Sequence, residues 1–392
     1  MKKIIILVSS ILALIACTPD TKKQNGQPNA TFSIPFVYKG FIFINPDTKT
    51  DTTTYFIFDT GSSNCVLDSS YASNYLDNTE ISYLTVSSLG QKKLIPVIPS
   101  HHFIFDSVTF KTESIVIADL KKMVEIEDGI ISWKLLNNYT IYLDFENNKI
   151  DLFDSSVILN YKNYTQTSFK YYNQQIQVPL SIYLNDTANI SGLFTFDTGS
   201  NMPVIVFADN YVENWRKSLS EPRYYSIQNN ATIVGKLNME IVKIKQFAIN
   251  NFQIDSPYIY IKPIQRKTSS LRRGTIGLPI ISQFNWIIDF KNRIIHFRPN
   301  HLYKNKFHQP KPGLRIVKSG NNYVVQGLIT NTAAHKSGIE IGHQITRINN
   351  KPINNYDYFE IHDILNYAKK INLTFMNNQT ETTIDIVPEN FK

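Results

Sequence analysis

Two apolar stretches of this chain end in the same tetrapeptide: Thr54-Tyr55-Phe56-Ile57-Phe58-Asp59-Thr60-Gly61-Ser62 and Leu193-Phe194-Thr195-Phe196-Asp197-Thr198-Gly199-Ser200. One given tetrapeptide arises by chance at on the order of 10⁻⁵ per position, so two copies in similar settings are not accidental. The aromatic and β-branched residues before each Asp predict a buried strand that ends there. Gly61 and Gly199 follow where a tight turn or a close backbone approach favours glycine. Each Asp is therefore predicted to lie on a rigid loop between packed segments.

The surroundings of the two motifs repeat as well. Gly129 and Gly274 each open a β-rich run and are 145 positions apart. Asp144 and Asp289 have the same separation and begin two matching Asp-Phe-x-Asn stretches, which predict β-hairpins. Each half thus has a lead-in strand, the Asp-Thr-Gly-Ser loop, a hairpin, a Gly-containing run and a closing hairpin. We therefore predict a mainly β chain with two equivalent lobes, residues 32–155 and 156–299.

A duplicated β unit that supplies one Asp per copy resembles the bilobed pepsin-like and retropepsin-like aspartic peptidases. The resemblance implies a two-lobed β-barrel fold in which Asp59 and Asp197 share one proton and activate a water against a polypeptide substrate. It also implies that Thr60 and Thr198 hydrogen-bond across the lobes. Ser62 and Ser200 are expected to bond the outer carboxylate oxygens. This chemistry requires no cofactor and no metal.

Two features around the motifs extend this comparison. Family members have an apolar-apolar-Gly segment beside each catalytic loop, and the second half keeps it as Thr275-Ile276-Gly277. The first half has Ser132 in the glycine position, which is expected to alter the geometry around Asp59. Family enzymes also cover the cleft with a flap, for which residues 83–94 are the candidate, with Tyr83 on one strand and Gly90 at the tip.

The N terminus resembles a bacterial lipoprotein signal, residues 1–17. A basic start precedes an apolar run that ends in Leu14-Ile15-Ala16-Cys17, which is similar to a lipobox. The resemblance implies cleavage before Cys17 and lipid on its sulfur, and hence membrane anchoring in a bacterial cell envelope, at the outer membrane or periplasmic face. An ordinary signal peptide with an incidental Cys is the alternative. Cys65 is the other cysteine, so a lipidated Cys17 leaves it as a small buried apolar residue. Residues 18–31 are predicted to form a polar tether.

The C-terminal part has a different pattern. Residues 300–312 are predicted to be a linker. Three stretches follow in order: Gly313-Leu314-Arg315-Ile316-Val317, Ala333-Ala334-His335-Lys336-Ser337-Gly338-Ile339 and Gly342-His343-Gln344-Ile345-Thr346-Arg347-Ile348-Asn349-Asn350. In their order and spacing, residues 313–392 resemble a bacterial protease PDZ domain, a β-sandwich with a helix. The resemblance implies a groove at Gly313, Leu314, Arg315 and Ile316 that binds a peptide or protein C terminus, flanked by a helix over 357–368. Asn350 stands in place of the usual glycine, and Asn tolerates left-handed backbone. A packing role without a ligand is the alternative.

Charge and composition exclude other classes. The net charge of +8 is modest and indicates a solvated surface, and export separates the chain from nucleic acid. The His101-His102 pair with Asp106 lacks the further ligands of a metal site. The basic run from Arg266 to Arg273 is predicted to be a solvated loop. Two functions remain open: a lipid-anchored aspartic endopeptidase with a PDZ domain, and a non-catalytic peptide-binding envelope protein on the same scaffold. The oligomeric state stays open, with a monomer favoured.

Overall fold

The computed structural model describes residues 27–46, 54–75, 81–88, 91–106, 108–124, 126–217, 224–232, 235–255, 258–262, 272–303 and 312–389. The predicted signal peptide, Cys17, most of the predicted tether and Gly90 lie outside these ranges. Within them, no helix is long and apolar enough to cross a membrane. The chain is mainly β, as predicted.

The first half of the chain forms a β-rich lobe with one helix, α1 (Ser69–Tyr75). Its strands are β1 (Phe32–Tyr38), β2 (Ile42–Ile44), β3 (Phe56–Asp59), β4 (Cys65–Asp68), β5 (Ser82–Ser88), β6 (Gln91–Ile98), β7 (His101–Phe105), β8 (Val108–Thr112), β9 (Ile115–Ala118), β10 (Gly129–Ser132), β11 (Thr140–Asp144) and β12 (Lys149–Phe153).

The second half repeats this composition, with helices α2 (Asn210–Lys217) and α3 (Leu278–Ile281). Its strands are β13 (Thr165–Ser168), β14 (Lys170–Tyr172), β15 (Gln175–Tyr183), β16 (Asn189–Phe196), β17 (Val204–Phe207), β18 (Tyr224–Thr232), β19 (Gly235–Lys243), β20 (Gln246–Ile249), β21 (Phe252–Asp255), β22 (Tyr258–Lys262), β23 (Arg272–Ile276), β24 (Phe284–Asp289) and β25 (Ile294–Pro299).

The closing hairpins of the two halves lie side by side and join the lobes. β11 pairs with β12, β24 pairs with β25, and β11 also pairs antiparallel with β24, which places Leu143 opposite Trp286. Both side chains are fully buried. Burial of each large apolar side chain stabilises the fold by roughly 1.5–3 kcal/mol. The sequence repeat therefore corresponds to two equivalent hairpins in one shared sheet.

In each lobe, a strand from later in the sequence lies beside the strand that ends in the Asp. β10 runs parallel to β3 and antiparallel to β4, and β23 runs parallel to β16 and antiparallel to β17. The two repeat glycines permit this close approach. A Cβ at Gly129 would lie 2.2 Å from the Phe56 ring, and one at Gly274 would lie 1.9 Å from the Ile205 carbonyl oxygen. No side chain fits at either position, which explains why the glycines recur.

The C-terminal segment forms a small β unit with two helices, α4 (Ala333–Lys336) and α5 (Tyr358–Tyr367). Its strands are β26 (Leu314–Ser319), β27 (Asn322–Ile329), β28 (Gln344–Ile348), β29 (Lys351–Pro352), β30 (Ile371–Asn377) and β31 (Thr380–Ile386). α5 begins with a capping box in which Asp357 and Glu360 bond each other's main chain. Asn350 has a φ of +64°, so asparagine does occupy the left-handed conformation expected there.

This C-terminal unit packs against both lobes. β27 pairs with β18, which extends the sheet of the second lobe into the C-terminal unit. Towards the first lobe, the Phe359 ring lies 5.6 Å from that of Phe43 and 5.5 Å from that of Tyr55. Lys39 forms a 2.6 Å salt bridge with Asp363 of α5. The three units therefore form one continuous body.

The ends of the predicted tether and linker are bonded to the lobes. The Thr31 amide donates to the Leu152 carbonyl, and the Gln27 side chain exchanges hydrogen bonds with the Asn160 main chain. Asn300 donates to the Ser282 carbonyl of the second lobe. Residues 27–31 and 300–303 are thus part of the folded body.

Candidate active site

The two Asp-Thr-Gly-Ser loops meet between the lobes, and each carboxyl group packs on the glycine of the opposite loop. A Cβ built on Gly61 would lie 2.4 Å from Cγ of Asp197, and a Cβ on Gly199 would lie 2.3 Å from Cγ of Asp59. Real Cβ atoms do not approach this closely. Glycine is therefore required at both positions by contact with the partner carboxyl group.

Thr60 and Thr198 hold the two loops together through four reciprocal hydrogen bonds. Each threonine hydroxyl accepts from the main-chain N–H of the other threonine, at 2.9 and 3.0 Å. The Thr60 hydroxyl donates to the Phe196 carbonyl, and the Thr198 hydroxyl donates to the Phe58 carbonyl, both at 2.7 Å. Both threonines are fully buried. This is the cross-lobe bonding that the resemblance implied.

Main-chain N–H groups surround the two carboxylates unequally. Oδ1 of Asp59 accepts from the N–H groups of Gly61 and Ser62, at 2.7 and 3.0 Å. Oδ1 of Asp197 accepts from Gly199 at 2.9 Å, and the two carboxyl groups hydrogen-bond each other. Because Asp59 receives more main-chain donors, its charged form is the better stabilised of the two.

The electrostatics follow from this asymmetry. Burial raises the pKa of Asp197 well above its usual value, and the nearby charge of Asp59 and the bond to it raise that pKa further. Burial also raises the pKa of Asp59, but the hydrogen bonds from Gly61, Asp197 and Ser62 oppose the effect. The protonated form is therefore favoured more strongly at Asp197 than at Asp59.

The prediction that Ser62 and Ser200 bond the outer carboxylate oxygens is wrong for the hydroxyl groups. The Ser62 hydroxyl donates to the Asn64 carbonyl at 2.7 Å. The Ser200 hydroxyl accepts from the Met202 N–H and is 3.5 Å from the Met202 carbonyl. A hydroxyl has one proton to donate, and here that proton is directed to a carbonyl two residues further along the same loop. Only the main-chain N–H of Ser62 reaches its carboxylate.

Ser132 supports the first loop from behind. Its hydroxyl donates to the Ser62 carbonyl at 2.7 Å and accepts from the Lys134 N–H, which caps a short 3-10 helix. In the second lobe the Leu278 N–H donates to the Ser200 carbonyl at 2.8 Å. The serine side chain therefore makes the bond that the main chain makes in the other half.

Gln175, a residue that the sequence did not single out, also contacts the site. Its side-chain amide donates to the Gly61 carbonyl at 2.6 Å from the β14–β15 hairpin of the second half. No local pattern marks this glutamine, because it lies 114 positions from its partner. It links the second lobe to the first catalytic loop.

The flap candidate is described in part. β5 and β6 pair from Ser82 opposite Val97 to Ser88 opposite Gln91, and Gly90 lies outside the described residues. Tyr83 is on β5 at the outer edge of the first-lobe sheet, with 69% of its surface exposed. The structure thus places Tyr83 on the surface of the hairpin.

The predicted PDZ groove opens into a cavity of about 310 Å³ shared with both lobes. Leu314 and Ile316 of β26 and Ile361 and Leu365 of α5 form its apolar side. The cavity is also lined by residues of the first lobe and by two residues that follow the second Asp-Thr-Gly-Ser motif: Tyr38, Lys39, Gly40, Phe41, Asn201 and Met202. The predicted groove therefore lies directly beside the second Asp-Thr-Gly-Ser loop.

Two predicted groove residues have structural contacts instead of free surfaces. Gly313 has a φ of +73°, and a Cβ there would lie 2.4 Å from the Thr332 hydroxyl. The Arg315 side chain leaves the groove, because its guanidinium donates to the Met123 carbonyl of the first lobe. Arg315 thus lines the cavity but fastens the C-terminal unit to that lobe.

Two further expectations concern charged groups. In the described ranges, no group of three His, Cys, Asp or Glu side chains is arranged to bind a metal. The predicted solvated loop from Arg266 to Arg273 is wrong at its end. Arg272 and Arg273 belong to β23 and are partly buried, because the β23 strand begins earlier than its Gly-Thr-Ile core.

Comparisons with known proteins identify one part of the chain. No curated protein matches it. Among solved structures, the chain is similar to an aspartic proteinase from Irpex lacteus, at 13% identity and a TM-score of 0.42, over 70% of this chain and 98% of that one. Residues 306–376 match the family model of the PDZ domain, and PDZ domains generally bind peptide C termini. The C-terminal unit is therefore a PDZ domain.

Proposed function

We propose that this protein is an aspartic endopeptidase that hydrolyses peptide bonds with a water activated by Asp59 and Asp197. One observation carries the proposal: two carboxyl groups in hydrogen-bonding contact, each seated on the glycine of the opposite loop. Like charges this close do not both ionise, so the pair holds one proton. That arrangement supplies a base and an acid at the same point.

The reaction follows from the charge asymmetry. Ionised Asp59 takes a proton from the water as its oxygen attacks the peptide carbonyl carbon, which becomes tetrahedral. Protonated Asp197 donates a hydrogen bond to the carbonyl oxygen as negative charge develops there. The proton gained by the pair then passes to the leaving nitrogen, and the C–N bond breaks. No covalent intermediate with the protein forms.

The test uses soluble protein comprising residues 18–392 and a fluorescently labelled unfolded polypeptide. We expect cleavage by the wild type and its loss in Asp59→Asn and Asp197→Asn. Asp186→Asn is the matched control, since Asp186 lies on the surface with 82% of its side chain exposed. Undiminished cleavage by either dyad variant would refute the mechanism.

The PDZ domain and the N terminus complete the proposal. The PDZ groove binds the C terminus of a substrate or regulatory polypeptide, beside Asn201 and Met202 of the second catalytic loop. Lipid on Cys17 anchors the protein in the cell envelope. Detergent-phase partitioning of the full chain against Cys17→Ser tests the anchor: equal partitioning of the two proteins would contradict it.

A non-catalytic peptide-binding function is the second candidate, and the PDZ match favours it. It predicts that the soluble protein binds peptides with free C termini and cleaves none between about pH 4 and 8. The two candidates are thus separated by the same cleavage assay with a binding measurement added.

A further inference from the structure

Two basic side chains of the second lobe converge on one aromatic ring. Phe207 of β17 lies opposite Lys262 on the neighbouring strand β22, and β23 flanks β17 on its other side. Nζ of Lys262 is 5.6 Å and Cζ of Arg272 is 4.9 Å from the centre of the Phe207 ring. The ring thus holds two cations on one face of the sheet.

No acidic partner accounts for this pair. Across the part of the chain that the structure describes, neither Lys262 nor Arg272 forms a salt bridge, and Nε of Arg272 is buried without an acceptor. The intervening sequence, residues 263–271, contains no Asp or Glu. The adjacent Arg273, in contrast, bonds Asp209 at 2.6 Å. Partly buried cations normally have an anionic partner.

Burial makes each of these two cations costly to charge. Burial and, as the smaller cause, the charge of Arg272 lower the pKa of Lys262 to about 8. Burial also lowers the pKa of Arg272. An anion between them would remove both effects, and desolvated cations bind anions more strongly than solvated ones do.

The pair lies near the catalytic centre. The Asp197 N–H bonds the carbonyl of Ile276, four residues after Arg272 on β23. Four residues of strand span about 13 Å, which places Arg272 about that far along β23 from Ile276. An extended substrate also advances about 3.4 Å per residue. The pair is therefore within reach of substrate residues up to about four positions from the scissile bond.

We propose that Lys262 and Arg272 form a subsite that binds a carboxylate of the polypeptide substrate. The proposal rests on the proposed function. The carboxylate belongs to an Asp or Glu side chain or to a nearby substrate C terminus, and the guanidinium group offers it paired donors. Phe207 positions both cations. The enzyme would then prefer substrates with an acidic group at one fixed distance from the cleaved bond.

The test uses peptides that share one sequence and differ at a single position. That position is varied from four residues before to four residues after the cleaved bond, and it carries Asp in one peptide and Asn in its matched partner. A second series has free or amidated C termini, which distinguishes the two carboxylate sources. We expect kcat/KM about tenfold higher for the acidic peptide at one position. Lys262→Gln with Arg272→Gln should remove this preference, so that acidic and neutral peptides are cleaved with the same kcat/KM.

Two further variants separate charge from folding. Arg273→Gln removes a charge from the same strand but from a residue paired with Asp209, and it should keep the preference. Arg272→Lys retains a cation and should keep part of it. Equal cleavage of acidic and neutral peptides by the wild type, or an unchanged preference in the double variant, overturns the proposal.

Binding distinguishes failure of the subsite from failure of the proposed function. If no peptide is cleaved, the proposed function fails. The acidic and neutral peptides are then compared by fluorescence anisotropy with the wild type and the double variant. The subsite is supported if the wild type binds the acidic peptide about tenfold more tightly than the neutral peptide and the double variant binds both equally. Equal binding refutes it.

Discussion

The substitution Gly61→Ala tests whether contact between the two loops sets the catalytic geometry. The added Cβ would lie 2.4 Å from Cγ of Asp197, whereas carbon atoms in contact are about 3.5–4.0 Å apart. The loops must therefore separate by about 1 Å or more. Overpacking of this kind costs about 1–3 kcal/mol of folding free energy, and a 1 Å misplacement of reacting groups costs about 10²-fold in rate.

The assay is kcat/KM on a fluorogenic peptide together with the midpoint of urea unfolding. Gly61→Ala should lose about 10²-fold in kcat/KM while remaining folded. Gly320→Ala is the control, since Gly320 has a φ of +62° and open space around its Cβ position. It should lose about 1 kcal/mol of stability through backbone strain and keep its activity. Wild-type kcat/KM in Gly61→Ala would refute the inference that this contact positions Asp197.

Four other predictions concern the same site. Thr198→Val should destabilise the protein by roughly 2–4 kcal/mol in urea unfolding, because it leaves the Thr60 N–H and the Phe58 carbonyl buried without partners; a change below about 0.5 kcal/mol would contradict this. Ser132→Gly should lose about 1–2 kcal/mol and lower kcat, because it removes the bond to the Ser62 carbonyl and a helix cap; higher activity would instead support the initial expectation that the serine disturbs the site. The pH profile of kcat/KM should rise from acid as Asp59 ionises and fall as Asp197 loses its proton. Because the pKa of Asp197 is raised in the folded state, its protonation stabilises the fold fully below the unfolded pKa of about 3.9, and this stabilisation is lost as pH rises. Asp197→Asn should therefore gain stability relative to wild type as pH increases from 3 to 7, and a constant difference in thermal unfolding would count against it.

Local sequence patterns predicted the strands and hairpins, because these depend on residues that are adjacent in the sequence. The strands before Asp59 and Asp197 follow from runs of buried aromatic and β-branched residues. The helix that the PDZ resemblance implied over 357–368 is present as α5, Tyr358–Tyr367. The repeat of 145 positions predicted equivalent hairpins, because the same local turn chemistry occurs twice.

Contacts between distant residues decided what local patterns did not. Ser132 was expected to disturb the site, but its hydroxyl bonds a carbonyl 70 positions away. Arg272 was expected in a solvated loop, but pairing with strands from elsewhere in the lobe buries it. The hydrogen-bond partner and the burial of such a side chain depend on which groups the fold brings near it. Spacing along the sequence does not contain that information.

The sequence by itself determined the two catalytic candidates, the duplicated β architecture and the C-terminal PDZ domain, because each depends on residue types at short spacing. Tertiary structure alone decided which of the two carboxyl groups receives more N–H donors, since that depends on how the main chain of each loop is placed. It also decided that the PDZ groove opens beside the second Asp-Thr-Gly-Ser loop. Both results arise from the docking of three units, whose contacts join residues more than a hundred positions apart.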